Sequence, residues 1–522
     1  MTRRARLAIL ALPVAFLLVF FVFPFASIVW EGLASDRSAI GRVLGEARIR
    51  DVIWFTLWQA AISTTLTLAV GLPIAYVLSR FAFRGRAAVE ALVLVPFVLP
   101  TVVVGMAFSG MRGSIVGILV AHVFFNIAVV VRVVGAAWAT IDPELEDAAE
   151  ELGASGWRRF TQVLLPLARP AIVSAATLVF LFTFTSFGII LLLGGAGQTT
   201  IEVEIFRRTS QQLDLSAAAV LALIQLVFVG VLLVADAVLA SRRGVQLTPT
   251  GHAGRAPRTR GERAFGAVVV MGAIALVVLP LWRLVRRSFA GPAGITLANY
   301  LHIGEGRRGG VFEIAPGAAI WTSVRTAALA AAIALLIGGL VSIGVALGAK
   351  SRGIWAIVAV PLGVSAVTLG FGYVVAFDAD PLDLRGSPWL VPLAQALVAM
   401  PFVVRIVAPA LAAAHASLGE SAAALGASPW QALRDATMPA CTGAIRTAAL
   451  FAFVVALGEF GATAFLARAD HPTVPVAIAR LLGQPGSASI GQASALAVIL
   501  LVVTAGASLA IGRGRLGWSG RT

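Results

Sequence analysis

The chain of 522 residues contains one cysteine (Cys441), one lysine (Lys350), three tyrosines and only 12% charged residues. A single cysteine excludes a disulfide scaffold and a thiolate zinc cluster. The five histidines, His122, His252, His302, His415 and His471, are dispersed along the chain, with no metal-ligand spacing. A single lysine leaves almost no room for a phosphate-binding loop, which needs Gly, four residues, then Gly-Lys-Ser/Thr. The one approach to it runs from Gly344 to Ser351, where Ala349 stands at the second glycine position and an apolar run ends. No ATP-binding motif is therefore expected in this chain, and no cofactor or metal either. Low charge also excludes an ordinary soluble domain, which is about 25% charged, and intrinsic disorder, which needs low hydrophobicity.

What the chain has is apolar length. Apolar residues make up 59% of it, and the mean hydropathy is +0.94. About 20 apolar residues cross a bilayer core as a helix. Twelve such runs can be read, near 7–30, 52–79, 89–111, 114–138, 170–194, 217–240, 265–285, 318–348, 353–377, 388–413, 443–467 and 491–511. Each is too long for a barrel strand, so the expected fold is an all-α integral membrane protein of about twelve transmembrane helices. The first run follows Arg3, Arg4 and Arg6 and is too long for a cleaved signal. It reads as a retained span with the N-terminus inside.

The formal charge is +15. Nucleic-acid binding needs a basic, aromatic-laced face on a folded module. Here the arginines fall in short clusters between apolar runs, as in the cytoplasmic loops of membrane proteins, so the bilayer is the expected partner and nucleic acid is not. Alternating topology from an inner N-terminus puts Arg80, Arg84, Arg86, the 241–264 segment and Arg513, Arg515 and Arg521 inside. Both termini are then cytoplasmic. Arg283, Arg286, Arg287, Arg307 and Arg308 run against the rule. They fall on the expected outer side, in a long loop where charge counts for less.

Residues 241–264 are rich in Gly, Pro, Thr and Arg and lack an apolar period. They separate a first half, 1–240, from a second, 265–522, with six spans each. The halves are copies. His122–Arg132 matches Gln395–Arg405, Gly153 matches Gly426, Leu165-Pro166 matches Met438-Pro439, and Ser186-Phe187-Gly188 matches Glu459-Phe460-Gly461. These pairs are 273 residues apart, and Trp54 matches Trp321 at 267. An even number of spans per copy makes the repeats parallel, with a pathway between them.

The loops after spans four and ten, 142–166 and 415–439, share a helical grammar. Asp142 is an N-cap, Pro143 suits the first helical position, and carboxylates fill the first turn. Gly153 ends this short helix in a left-handed conformation. A second helix is expected from Ser155, with Trp157, Phe160 and Leu164 on one face, ended by Pro166. In the later copy Ser417 and Glu420 are expected to form a capping box. Gly426 ends the turn, Ser428-Pro429-Trp430 starts the next helix, and Pro439 stops it. The small residues Ala148, Ala149, Ala422 and Ala423 let another protein approach closely.

An acidic residue followed by small residues, a glycine, then Leu-Pro thirteen beyond the glycine resembles the signature loop of binding-protein-dependent ABC importer permeases. It stands here as Asp147-Ala148-Ala149, Gly153, Leu165-Pro166 and as Glu420-Ser421-Ala422, Gly426, Met438-Pro439. The departures are Asp147 for Glu, Ser421 for Ala and Met438 for Leu. The resemblance covers both halves, and fused double permeases of this length are typical of the ferric-iron and thiamine subgroup. It implies the type I permease fold and coupling helices that dock in separate ATPase subunits, two copies of which hold ATP and magnesium. It also implies an extracytoplasmic substrate-binding protein, a place in the inner membrane, and no enzyme activity in this chain. A 6+6 carrier driven by an ion gradient has the same span count but no use for the paired loops.

An ionisable group inside a span costs at least about 2.5–3.5 kcal/mol and marks a functional candidate. Glu459 is the clearest, flanked by Gly458 and Gly461. With Ser186, Phe187, Phe460 and Asn126 it is expected to line the pathway, and a carboxylate there suits a cationic substrate. A structural role for Glu459, hydrogen-bonded to a neighbouring helix, is the alternative. Asn126 and His122 equally suit interhelical hydrogen bonding. The outer stretch Gly194–Phe206 and Ala121–Asn126 resemble the corresponding stretches of thiamine permeases.

Overall fold

The computed structural model describes residues 3–35, 38–241, 254–291, 294–304, 316–347, 364–378, 382–484 and 486–516. Lys350 and Ser351, Arg307 and Arg308, the first 11 residues of the ninth expected span (353–363) and half of the 241–264 segment lie outside these residues.

The first half runs through α1 (Ala8–Ala34), α2 (Ala47–Arg80), α3 (Arg86–Val98), α4 (Thr101–Ala107) and α5 (Ile115–Ala139). Then come α6 (Pro143–Glu151), α7 (Gly156–Phe184), α8 (Gly188–Leu193), α9 (Ile201–Arg207) and α10 (Leu215–Ser241). The second half repeats the order in α11 (Arg260–Ser288), α12 (Ala318–Ala346), α13 (Ala366–Ala376) and α14 (Leu390–Ala424). It continues through α15 (Pro429–Ala440), α16 (Thr442–Gly458), α17 (Thr463–Leu466), α18 (Val474–Leu482) and α19 (Ser487–Leu516). Among the described residues nine helices are long and apolar enough to cross a membrane, or eleven if each bent pair is one span.

The repeat is visible atom by atom. A Cβ on Gly71 would lie 2.8 Å from Val130, and one on Gly338 would lie 3.0 Å from Val403. The α2–α5 crossing and its copy α12–α14 thus close on the same glycine, the small-residue device of membrane helix packing. The Ile201 N–H donates to Thr56 Oγ1 at 3.1 Å, and the Val474 N–H to Ser323 Oγ at 2.7 Å. In both halves a hydroxyl on the second span satisfies the first free amide of a short helix.

The first helix of each half packs on the other half. Phe20 of α1 lies 6.5 Å from Tyr373 and 5.9 Å from Phe377, centroid to centroid. Conversely, Phe265 of α11 lies 6.4 Å from Tyr76, and Arg287 donates to Ser109 Oγ at 2.6 Å. Arg287, which ran against the charge rule, thereby ties α11 to the first half.

Three expected spans are broken rather than continuous. The run 89–111 turns by 106° between α3 and α4. Leu99, which precedes Pro100, is extended (φ −71°, ψ 139°), because the proline ring excludes the helical region for its neighbour. The runs 170–194 and 443–467 both break at their matched motifs, Ser186-Phe187 and Glu459-Phe460-Gly461. Bare backbone at membrane depth is tolerated only where protein or a cavity surrounds it.

Two expectations about the loops are also corrected. Pro166 does not end a helix: α7 continues through it, with π-helical hydrogen bonding over Phe160–Leu164 absorbing the missing N–H. Ser417 makes no capping box, since α14 runs through it and its hydroxyl donates back to Ala413 O (3.3 Å). The box of the second loop is formed by Ser428 and Gln431. Pro439 does stand near a stop, where α15 meets α16 at 68°.

Candidate functional site

Where the broken helices of the two halves meet, they line a partly open cavity of about 380 Å³. Its wall takes Leu99, Pro100 and Thr101 from the α3–α4 corner, Ser186–Ile189 from the α7–α8 break, Ser365–Val367 at the start of α13, and Gly458–Gly461 from the α16–α17 break. The breaks keep the unpaired backbone that a cavity permits. Gly188 and Gly461 are needed for the approach. A Cβ on Gly188 would meet Thr101 Oγ1 at 2.4 Å, and one on Gly461 would meet Ala366 Cβ at 2.8 Å.

The structure brings Ser186, Phe187, Asn126, Glu459 and Phe460 together in this wall. Phe187 and Phe460 stack across the interface between the halves, centroids 5.2 Å apart and planes at 28°. Phe206 packs on Phe187 at 5.4 Å and on Phe465 at 5.2 Å, so the stacked pair is extended into a cluster of four rings. Glu459 is buried, and its carboxylate accepts the Ala462 N–H at 2.7 Å and the Thr463 N–H at 3.0 Å. It caps α17 from within its own segment rather than bonding to a neighbouring helix. Asn126 Nδ2 donates to His122 O at 3.0 Å, while its Oδ1 has no partner. His122 bridges Ser63 of α2 (3.0 Å) and Ser186 (2.9 Å). It fixes the first break against two spans.

Sequence reading missed Glu202 as a site residue. It sits in the first turn of α9, wholly buried, in the cavity wall. Gln225 Nε2 donates to its Oε1 at 2.5 Å, and Oε2 has no hydrogen-bond partner. An acidic residue between Ile201 and Val203 in an apolar stretch was the available signal.

The two loops lie where α5 ends and α7 starts, and at the matching place in the second half. Asp142 accepts the Glu144 N–H at 3.0 Å, as an N-cap should. Gly153 and Gly426 have φ of +80° and +88°. In both loops the glycine N–H and the next one return to the helix, Ala154 to Ala149 O at 2.9 Å and Ala427 to Ala422 O at 3.0 Å. Asp147, Ala148, Glu420 and Ser421 are exposed, Ala149 and Ala422 half-buried; Leu165, Pro166 and Met438 are half-buried, and Pro439 is exposed. Beside each glycine stands an apolar pair that the signature did not single out. Leu152 is 89% and Trp157 73% exposed; their copies Leu425 and Trp430 are 90% and 54% exposed. Exposed apolar groups repeated in both loops are the kind of feature found at contact surfaces. Arg258, from the segment between the halves, pairs with Asp147 (3.2 Å) and Glu150 (3.4 Å).

Residues 68–244 match the family described as binding-protein-dependent transport system inner membrane component. The matched segment carries the first of the two loops, and by this likeness the chain is read as a transport permease. The permease is 26% identical over 505 residues to the thiamine transport system permease protein ThiP of Salmonella typhimurium, covering 90% of each chain. It is 27% identical to ThiP of Brucella abortus over 86% of this chain and 84% of that one. A Haemophilus influenzae chain named for ferric transport, FbpB 1, is 24% identical over 87% of the permease and 77% of its own length. The match thus extends through both halves, and the 6+6 gradient-driven carrier is set aside.

Proposed function

We propose that the permease imports thiamine, or a thiamine phosphate, received from an extracytoplasmic binding protein. The observation that carries this reading is the chemistry of the cavity wall. Seven phenylalanines line it (Phe97, Phe125, Phe182, Phe187, Phe402, Phe451 and Phe460), with carboxylates and with no arginine or lysine among the lining residues. Aromatic faces attract a delocalised organic cation, by about 0.5–2 kcal/mol per well-placed ring. Bare ferric iron is a hard ion that needs several oxygen donors at once. In this wall both oxygens of Glu459 are already engaged by backbone amides and one oxygen of Glu202 by Gln225, so few carboxylate oxygens remain for such an ion. The names of the thiamine relatives support the same choice.

In this reading the ends of the molecule that carry 142–166 and 415–439 face the cytoplasm, together with both termini. The short helices there dock in two ATPase subunits through Asp147–Gly153 and Glu420–Gly426, with Leu152, Trp157, Leu425 and Trp430 as apolar anchors. ATP drives the two docking sites together, the halves rock about the stacked Phe187–Phe460 pair, and the cavity alternates between the two sides. The test is uptake by vesicles holding the permease with its cognate ATPase and binding protein. ATP-dependent accumulation of labelled thiamine is expected. Accumulation of ferric iron with no thiamine uptake would sink the reading.

A further inference from the structure

We infer that Glu202 is the counter-charge that a cationic cargo meets in the cavity, an inference that rests on the proposed aromatic-cation substrate. Two carboxylates stand in the wall. Both oxygens of Glu459 are engaged by the amides of Ala462 and Thr463. Glu202 is different: one oxygen is held by Gln225 and the other has no hydrogen-bond partner. Ser365 of the second half is within reach of a side-chain contact with Glu202, but its hydroxyl is shared with Thr368, donating to Oγ1 at 3.0 Å and accepting the Thr368 N–H, and leaves Glu202 Oε2 without a well-formed hydrogen bond. A buried carboxylate left half-satisfied is costly unless something else completes it.

The cations nearest in sequence are committed elsewhere. Arg207 donates to Thr199 Oγ1, and Arg208 serves Glu46, Glu204 and Asp214. The carboxylate is also held in place. Thr56 fixes the start of α9 and Gln225 fixes the side chain, so little ordering remains to be done on binding. No part of Glu202 is exposed in this conformation. The cargo therefore engages it as the halves part and the wall opens, while the phenylalanine faces hold the remainder of an aromatic cation.

The experiment is thiamine uptake by the reconstituted importer carrying Glu202→Gln or Glu202→Asp, with assembly checked by co-purification of the ATPase. Glu202→Gln is expected to raise the KM for thiamine at least tenfold, and Glu202→Asp to restore part of it. Inhibition by an uncharged isostere, with carbon in place of the thiazolium nitrogen, should be the same in wild type and Glu202→Gln. A KM within twofold of wild type in an assembled Glu202→Gln importer overturns the inference and leaves the substrate reading intact. Absence of thiamine uptake by wild type refutes both. Should the variants fail to assemble, the wild-type complex is treated with a hydrophobic carbodiimide during turnover, and Glu202 modification is read by peptide mass spectrometry. Protection of Glu202 by thiamine is expected. A Glu202 that is never modified, or is modified equally with thiamine present, overturns the inference.

Discussion

Arg80 and Glu146 form a buried ion pair that fastens α6, the short helix of the first loop, to the end of α2. The same guanidinium donates to Trp138 O at 3.1 Å and Ile141 O at 2.9 Å, where α5 ends. Three elements, α2, α5 and α6, are thus gathered on one side chain. Among the described residues the second half shows no ion pair at the matching positions. Glu146 corresponds to Gly419 and Arg80 to Leu347.

Removing one member of a buried pair leaves an uncompensated charge and costs about 3–5 kcal/mol. Arg80→Ala should therefore loosen α6 and uncouple the machine. The expected result is at least a tenfold fall in thiamine transported per ATP hydrolysed, measured in liposomes. Arg80→Lys should not restore it, because an ammonium cannot serve three acceptors in the fixed geometry of a guanidinium. Normal stoichiometry in Arg80→Ala would remove the joint from the transmission path.

The paired exposed leucines give a second prediction. Leu152→Asp and Leu425→Asp should each weaken ATPase binding, and the double variant should abolish co-purification. Both side chains are almost wholly exposed, so the folded permease should keep its thermal midpoint. Co-purification of the ATPase with the double variant would move the docking surface elsewhere.

Glu459 gives a third. Its carboxylate satisfies two backbone amides in the helix break. Glu459→Ala should lose about 0.5–2 kcal/mol, the usual range for a lost cap, seen as a lower unfolding midpoint in detergent. Glu459→Gln keeps one acceptor oxygen and should fall between. It should also reduce uptake, since the break lines the cavity. An unshifted midpoint in Glu459→Ala would deny the capping role.

A fourth concerns the helix crossings. Gly71→Ala forces a methyl against Val130, and Gly338→Ala forces one against Val403. Each should cost roughly 1–3 kcal/mol by overpacking. Val130→Ala and Val403→Ala should relieve the matching variant only. The check is a double-mutant cycle on thermal stability, and rescue by the non-matching valine variant would contradict the repeat geometry.

Much of this was legible in the sequence because the signals are local. Apolar runs, the 273-residue offset, Asp142 as an N-cap and Gly153 and Gly426 as left-handed stops each depend on a handful of neighbouring residues. Of the helix breaks, only the one beside Gly458 and Gly461 has a local signal, since glycines there permit a kink. Leu99-Pro100 and Ser186-Phe187 sit inside apolar runs, and hydropathy does not record whether such a run is straight. Ser417 and Glu420 have the spacing of a capping box, but α14 had not ended there. Glu202 was overlooked because its meaning lies in Gln225 and in a wall built by the other half. The exchange of α1 and α11 is likewise a tertiary relation that leaves no mark on either helix alone.

The matched breaks differ in one respect with consequences for the cargo. Glu459 answers to Ser186, and Glu202 answers to Pro475. A permease assembled from two identical chains presents every group twice, and a molecule lying on its axis has two equivalent poses. Fusion removes that degeneracy. With a half-engaged carboxylate on one wall only, the proposed role of Glu202 would give a cargo whose ends differ a single pose, its charged ring always toward the same side.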